Sequence, residues 1–149
     1  MLLQLKHISR AYGKKESETY QVVLNDISLD IEKGQSIAVT GPSGSGKTTL
    51  LNLAGSLDKP DQGQVLYLDQ DITRLTGREL EQFRNKAVGF VFQQHHLLPQ
   101  FTLLENVLLP TLPNRNAGGA GDRAEELIKR TGLWDHRDKK PRELSGGES

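Results

Sequence analysis

Hydrophobic and polar positions alternate in two stretches near the start of the chain. Residues Leu2 to His7 carry a strand pattern, and from Val22 to Ile31 the apolar Leu24, Ile27, Leu29 and Ile31 interleave with Asn25, Asp26, Ser28 and Asp30. Such alternation predicts half-exposed antiparallel strands, with one face on a core and one in water. The charged run Gly13-Lys14-Lys15-Glu16-Ser17-Glu18-Thr19 between them predicts a loop. Ser36-Ile37-Ala38-Val39-Thr40 predicts a short buried strand, and Thr48 to Ala54 the start of a helix. Further on, Asp58-Lys59-Pro60-Asp61-Gln62-Gly63 predicts a turn, Gln64 to Leu68 a strand, and Asp69-Gln70-Asp71 another turn. Gly77 to Asn85 has the pattern of a short polar helix. It leads into Ala87-Val88-Gly89-Phe90-Val91-Phe92, apolar on both faces and so expected at the centre of a sheet. Thr102 and Glu105 have capping-box spacing at the start of a short helix that Pro110 closes. Asn114 to Gly121 predicts a connection, and about Asp122 to Arg130 an amphipathic helix ended by Gly132. The chain has no internal repeat.

Between the buried strand and the helix lies Gly41-Pro42-Ser43-Gly44-Ser45-Gly46-Lys47-Thr48, which fits G-x-x-x-x-G-K-[ST] in the strand–loop–helix setting that motif requires. Gly41, Gly44 and Gly46 permit backbone conformations closed to other residues, so successive N–H groups can turn inward around a polyphosphate. The helix beginning near Lys47 adds its positive end, and the Lys47 ammonium can reach the β- and γ-phosphates. Thr48 is spaced to ligate Mg²⁺, and Ser43, Ser45 and Thr49 belong to the same loop and helix start. The loop is thus a candidate ATP–Mg²⁺ site. The strand Ala87 to Phe92 should end at a functional edge, since open α/β sheets bind ligands at their strands' carboxyl ends.

Composition narrows the picture. A length of 149 residues is that of one domain, and 19 basic against 19 acidic residues give no net charge to draw the chain to nucleic acid. Cysteine is absent, which excludes disulfides and thiolate metal sites. His95 and His96 are sequential, and His7 and His136 lack partners at ligand spacing, so no transition-metal site is expected. No apolar run approaches the ~20 residues of a membrane span, so a soluble chain is expected, one that can still work against a membrane partner.

The second motif is Leu144-Ser145-Gly146-Gly147-Glu148. Together with the glycine loop, it resembles the ATP-binding subunits of ATP-binding-cassette transporters, whose signature reads Leu-Ser-Gly-Gly followed by Gln or Glu. Val88-Gly89-Phe90-Val91-Phe92-Gln93-Gln94 resembles that family's Q-loop, and Tyr12 sits where the family has an aromatic that stacks on adenine. The resemblance implies an α/β fold: a P-loop NTPase core with an antiparallel β subdomain and a helical subdomain. It implies residues 1–93 for the core and β subdomain, 94–144 for the helical subdomain and 144–149 for the signature. It further implies that Lys47 and Gln93 act in catalysis, that Thr48 and Gln93 hold Mg²⁺, and that Ser145, Gly146 and Gly147 close over the ATP of a second subunit in a head-to-tail homodimer. A transmembrane permease subunit is the implied partner, at the cytoplasmic face of the inner or plasma membrane. Leu51 to Pro60 and the Leu97 to Val107 segment resemble the subfamily serving lipoprotein release, macrolide efflux and antimicrobial-peptide export. His95 to Leu98 and Phe101 to Leu112 are then candidates for the surface that receives the permease.

In that family a Walker B Asp, a catalytic Glu and a switch His follow the signature, and none occurs here. Val65-Leu66-Tyr67-Leu68-Asp69 has the Walker B form but precedes the Q-loop and is followed by Gln70, so it reads as a hairpin strand at a sheet edge. The expectation is a fragment of a longer ATPase subunit, with an incomplete core sheet and little activity alone. Two alternatives stand: a P-loop nucleoside-monophosphate kinase, and a nucleotide-binding module without turnover.

Overall fold

The computed structural model describes residues 1–93, 96–112 and 118–144. The chain divides into two compact units, Met1–Phe90 and Val91–Ser149. In the first, strands β1 (Leu3–Tyr12), β2 (Gln21–Ile31), β3 (Gln62–Tyr67) and β4 (Gln70–Asp71) form a sheet in the order β2-β1-β3-β4. All pairings are antiparallel. β1 therefore runs five residues beyond the alternating pattern that marks its start, because it is paired on both sides: Leu5 faces Leu29 of β2 and Val65 of β3.

The register breaks at one level across all three long strands. His7 (φ 52) and Asp26 (φ 52) take left-handed backbone, and Gly63 (φ 90) lies so close to β1 that a Cβ there would sit 2.3 Å from the His7 carbonyl oxygen. This is an aligned set of bulges, which twist the sheet and re-aim the residues that follow, Ser9 to Tyr12. β3 and β4 join through Leu68 and Asp69, both with positive φ (47 and 64), the backbone of a two-residue hairpin turn. Val65 to Tyr67 thus belong to a hairpin strand as expected, but Leu68 lies in the turn, and Gln70 and Asp71, expected in a turn, form the edge strand β4.

Helix α1 (Lys47–Ala54) crosses this sheet, and Leu53 enters a core made with Leu5, Ile8, Leu24, Val65, Ile72 and Leu75. Helix α2 (Gly77–Ala87) adds Leu80 and Phe83, the latter edge-on to Tyr67 at 5.3 Å between ring centroids. Two expected strands are absent. Residues 36–40 are exposed throughout and have no regular hydrogen-bonded structure, and residues 88–92 follow α2 without forming a ladder. Strand composition alone does not make a ladder, which needs the regular hydrogen-bond pattern of a paired neighbour.

In the second unit, α3 (Leu103–Leu108) opens on a complete capping box: Thr102 Oγ1 accepts from Glu105 N, and Glu105 Oε2 accepts from Thr102 N at 2.7 Å. A single turn at Leu109–Thr111, containing Pro110, ends it. Buried Asn106 ties down the preceding loop, accepting from Leu98 N at 2.8 Å and donating to the carbonyls of Leu98, Phe101 and Thr102. Helix α4 (Ala120–Arg130) packs on α3 through Ala124 and Ile128 and stops at Gly132 (φ 74). Among the described residues, no helix is long and apolar enough to cross a membrane.

Candidate functional site

The glycine loop is positioned by the sheet behind it. Gly46 caps α1 in left-handed conformation (φ 88), and a Cβ there would meet Leu24 Cδ2 and the Val23 carbonyl oxygen at 3.0 Å. β2 is therefore the wall against which the loop turns into the helix. Gly44 (φ 80) and Gly41 (φ 151) also have positive φ. All three glycines of the motif thus adopt conformations that side chains disfavour. The Lys47 side chain folds back over the loop, and its Nζ donates to the carbonyl oxygens of Gly41 at 2.9 Å and Pro42 at 2.7 Å.

Two features of α1 run against ordinary helix design. Its first residue is a lysine, at the positive end of the helix dipole, and its first turn contains no acidic residue. A cation there is unfavourable until an anion joins it, whereas the unpaired N–H groups of the first turn favour an anion directly. The chemistry of the donors fits a polyphosphate: backbone N–H groups, an ammonium held by displaceable carbonyl contacts, and the hydroxyls of Ser43, Ser45, Thr48 and Thr49 on one short segment. Among the described residues, no group of three or more His, Cys, Asp or Glu could hold a metal ion.

Tyr12, at the end of β1, is 41% exposed. Its register neighbour two residues back, Arg10, pairs with Leu24, the residue that backs Gly46. Tyr12 thus lies about 7 Å along the strand from the level of the loop's wall. Its hydroxyl donates to Asp58 Oδ2 at 3.0 Å. Arg10 lies over the ring at 4.8 Å and donates twice to Asp58, at 3.1 and 3.0 Å, and once to Asp61 at 2.8 Å. Asp61 also accepts from Ala11 N at 2.7 Å. Burial works against the charge on Arg10, but Tyr12, Asp61 and Asp58 outweigh it and hold the guanidinium pKa above its usual value. Arg10, Asp58 and Asp61 went unread as site residues. The available signal was Arg10 two positions before Tyr12 and an Asp at each end of the Asp58–Asp61 turn.

Gln93 is exposed and belongs to the second unit, so it is described apart from the glycine loop. Ser145, Gly146 and Gly147 lie outside the described residues.

Comparison with known proteins bears on the family of the chain. The family model for the ABC transporter domain matches residues 24–149. The lipoprotein-releasing system ATP-binding protein LolD of Bacteroides thetaiotaomicron is 44% identical over 148 residues, covering 99% of this chain and 65% of the relative. LolD of Geobacter metallireducens is 45% identical over 148 residues, with the same 99% and 65% coverage. A solved dimeric structure of the ATP-binding cassette MJ0796, in a post-hydrolysis state bound to ADP and Pi, superposes with a TM-score of 0.88 at 36% identity, covering 99% of this chain and 65% of that one. The chain thus spans 65% of the length of these relatives. Similarity runs through sequence and fold alike from the first strand onward, and the chain belongs to the ABC transporter family.

Proposed function

We propose that this chain is the ATP-binding portion of a transporter ATPase, in which the Gly41–Thr48 loop holds the phosphates of Mg²⁺–ATP and Tyr12 stacks on the base. The observation that carries the reading is the glycine loop. Its three glycines have positive φ, its lysine sits at the positive end of a helix with no acidic first turn, and β2 backs its last glycine. Lys47 would leave the Gly41 and Pro42 carbonyls for phosphate oxygens, exchanging neutral acceptors for charged ones, which form stronger hydrogen bonds. Thr48 and Gln93 would hold Mg²⁺, which supplies charge neutralisation across the phosphates when bound. Lys47 and the loop N–H groups neutralise and position the same oxygens, which is most of what phosphoryl transfer asks of a protein. Ser145, Gly146 and Gly147 would close over the nucleotide of a second copy; the dimeric state of the MJ0796 cassette supports this. The domain boundaries at 93 and 144, a permease partner in the membrane, a place at its cytoplasmic face and a role in lipoprotein release belong to the same proposal. The relatives named LolD, ATP-binding proteins of lipoprotein-releasing systems, support the last of these.

Displacement of a fluorescent ATP analogue, read beside phosphate transfer to GMP, tests the reading. Saturable displacement by ATP without GDP formation is expected. GDP formation would make the chain a nucleoside-monophosphate kinase, and absence of displacement would remove the nucleotide site.

A further inference from the structure

We infer that Asp58 is a positioning residue for the nucleotide base, locking the Tyr12 ring to the far end of the phosphate-loop helix. The inference rests on the reading of the glycine loop as an ATP site. α1 begins at Lys47 and ends at Ala54, and the chain turns at once through Ser56 (φ 61). Leu57 N and Asp58 N both donate to the Asn52 carbonyl, at 2.7 and 3.3 Å, so the position of Asp58 follows that of the helix. Its carboxylate takes three donors from β1: the Tyr12 hydroxyl, Arg10 Nε and Arg10 Nη2. The last two form a parallel fork, the geometry that best fixes a guanidinium. Arg10 then covers one face of the Tyr12 ring, with its Cζ 4.8 Å from the centroid. One face is therefore taken by a cation, and the hydroxyl is anchored.

An aromatic ring left free at a strand end must lose rotamer freedom when a base stacks on it. Here that freedom is already lost, and the group that removes it moves with the helix that carries Lys47. Asp61 completes the brace through Ala11 N and Arg10 Nη1, fixing the backbone that carries the ring. Base and phosphate contacts thus share one rigid frame, α1 plus the end of β1.

The test compares ATP with inorganic tripolyphosphate, which has the phosphates and no base, by calorimetry on the 149-residue chain. Asp58→Asn is expected to weaken ATP about 3- to 10-fold, a part of what base stacking contributes, and to leave tripolyphosphate affinity unchanged. Tyr12→Phe, which keeps the ring and loses only its anchor, is expected to move in the same direction by a smaller factor. In a Tyr12→Ala background, Asp58→Asn should have no further effect on ATP. Parallel losses for ATP and tripolyphosphate would make Asp58 a merely structural residue and overturn the inference, as would unchanged ATP affinity in Asp58→Asn. If the folded wild-type chain binds neither compound, the ATP reading itself falls, a result distinct from either of these.

Discussion

Gly63 and Gly46 exclude side chains for different reasons, and the difference is measurable. At Gly63 a methyl group would sit 2.3 Å from the backbone oxygen of His7 and 2.4 Å from that of Lys6, at φ 90. Neither neighbour can rotate away, so Gly63→Ala is expected to destabilise the first unit by about 2–4 kcal/mol, read as a lower urea midpoint. At Gly46 the nearest atoms are 3.0 Å away, and the larger penalty is the left-handed backbone, about 1–2 kcal/mol. Gly46→Ala should therefore lose more ATP affinity than stability, because the helix start must shift to relieve it. Equal urea midpoints for Gly63→Ala and the wild-type chain would contradict the bulge geometry. These two glycines were not equally readable: Gly46 stands in a contiguous motif, whereas the need for Gly63 arises from His7, in a strand far away in sequence.

Elements whose signals are local could be read from the chain, and those defined by partners could not. The capping box at Thr102 and Glu105 is a four-residue signal, and both of its hydrogen bonds form. Thr102→Ala should cost about 1 kcal/mol and raise amide exchange through Leu103–Leu108. α1 and α4 also stand where the pattern puts them, α4 stopping at Gly132, whereas α2 runs past Asn85 and takes up Ala87, the first residue of the expected strand. Residues 36–40 and 88–92 have strand composition, yet neither stretch forms a ladder. Within the core, Leu53 is 1% exposed and joins α1 to the sheet. Leu53→Ala is expected to cost about 2–5 kcal/mol and to loosen the phosphate loop with it, so urea stability and ATP affinity should fall together. A stability loss with undiminished ATP affinity would separate the loop from the core.

Among the described residues, apolar side chains stand in water on both of the segments that form no ladder. Ile37 and Val39 are 39% and 37% exposed in the first unit, and Val91 is fully exposed at the start of the second. The chain should therefore enhance the fluorescence of an apolar dye, and Ile37→Ser with Val91→Ser should reduce it without lowering the urea midpoint. No reduction would mean that these side chains are covered. The candidate site was legible as far as it is contiguous. The glycine loop lies in eight consecutive residues, whereas the Tyr12 brace joins residues 46 to 51 apart, which no local pattern encodes. The central claim is that the loop binds the phosphates of ATP through Lys47. A calorimetric titration of Mg²⁺–ATP into the wild-type chain and its Lys47→Ala variant, both first confirmed folded, tests it directly. Saturable binding by the wild type, weakened at least about tenfold in the variant, is the predicted result. Equal binding by the two proteins, or none by the folded wild type, would contradict it.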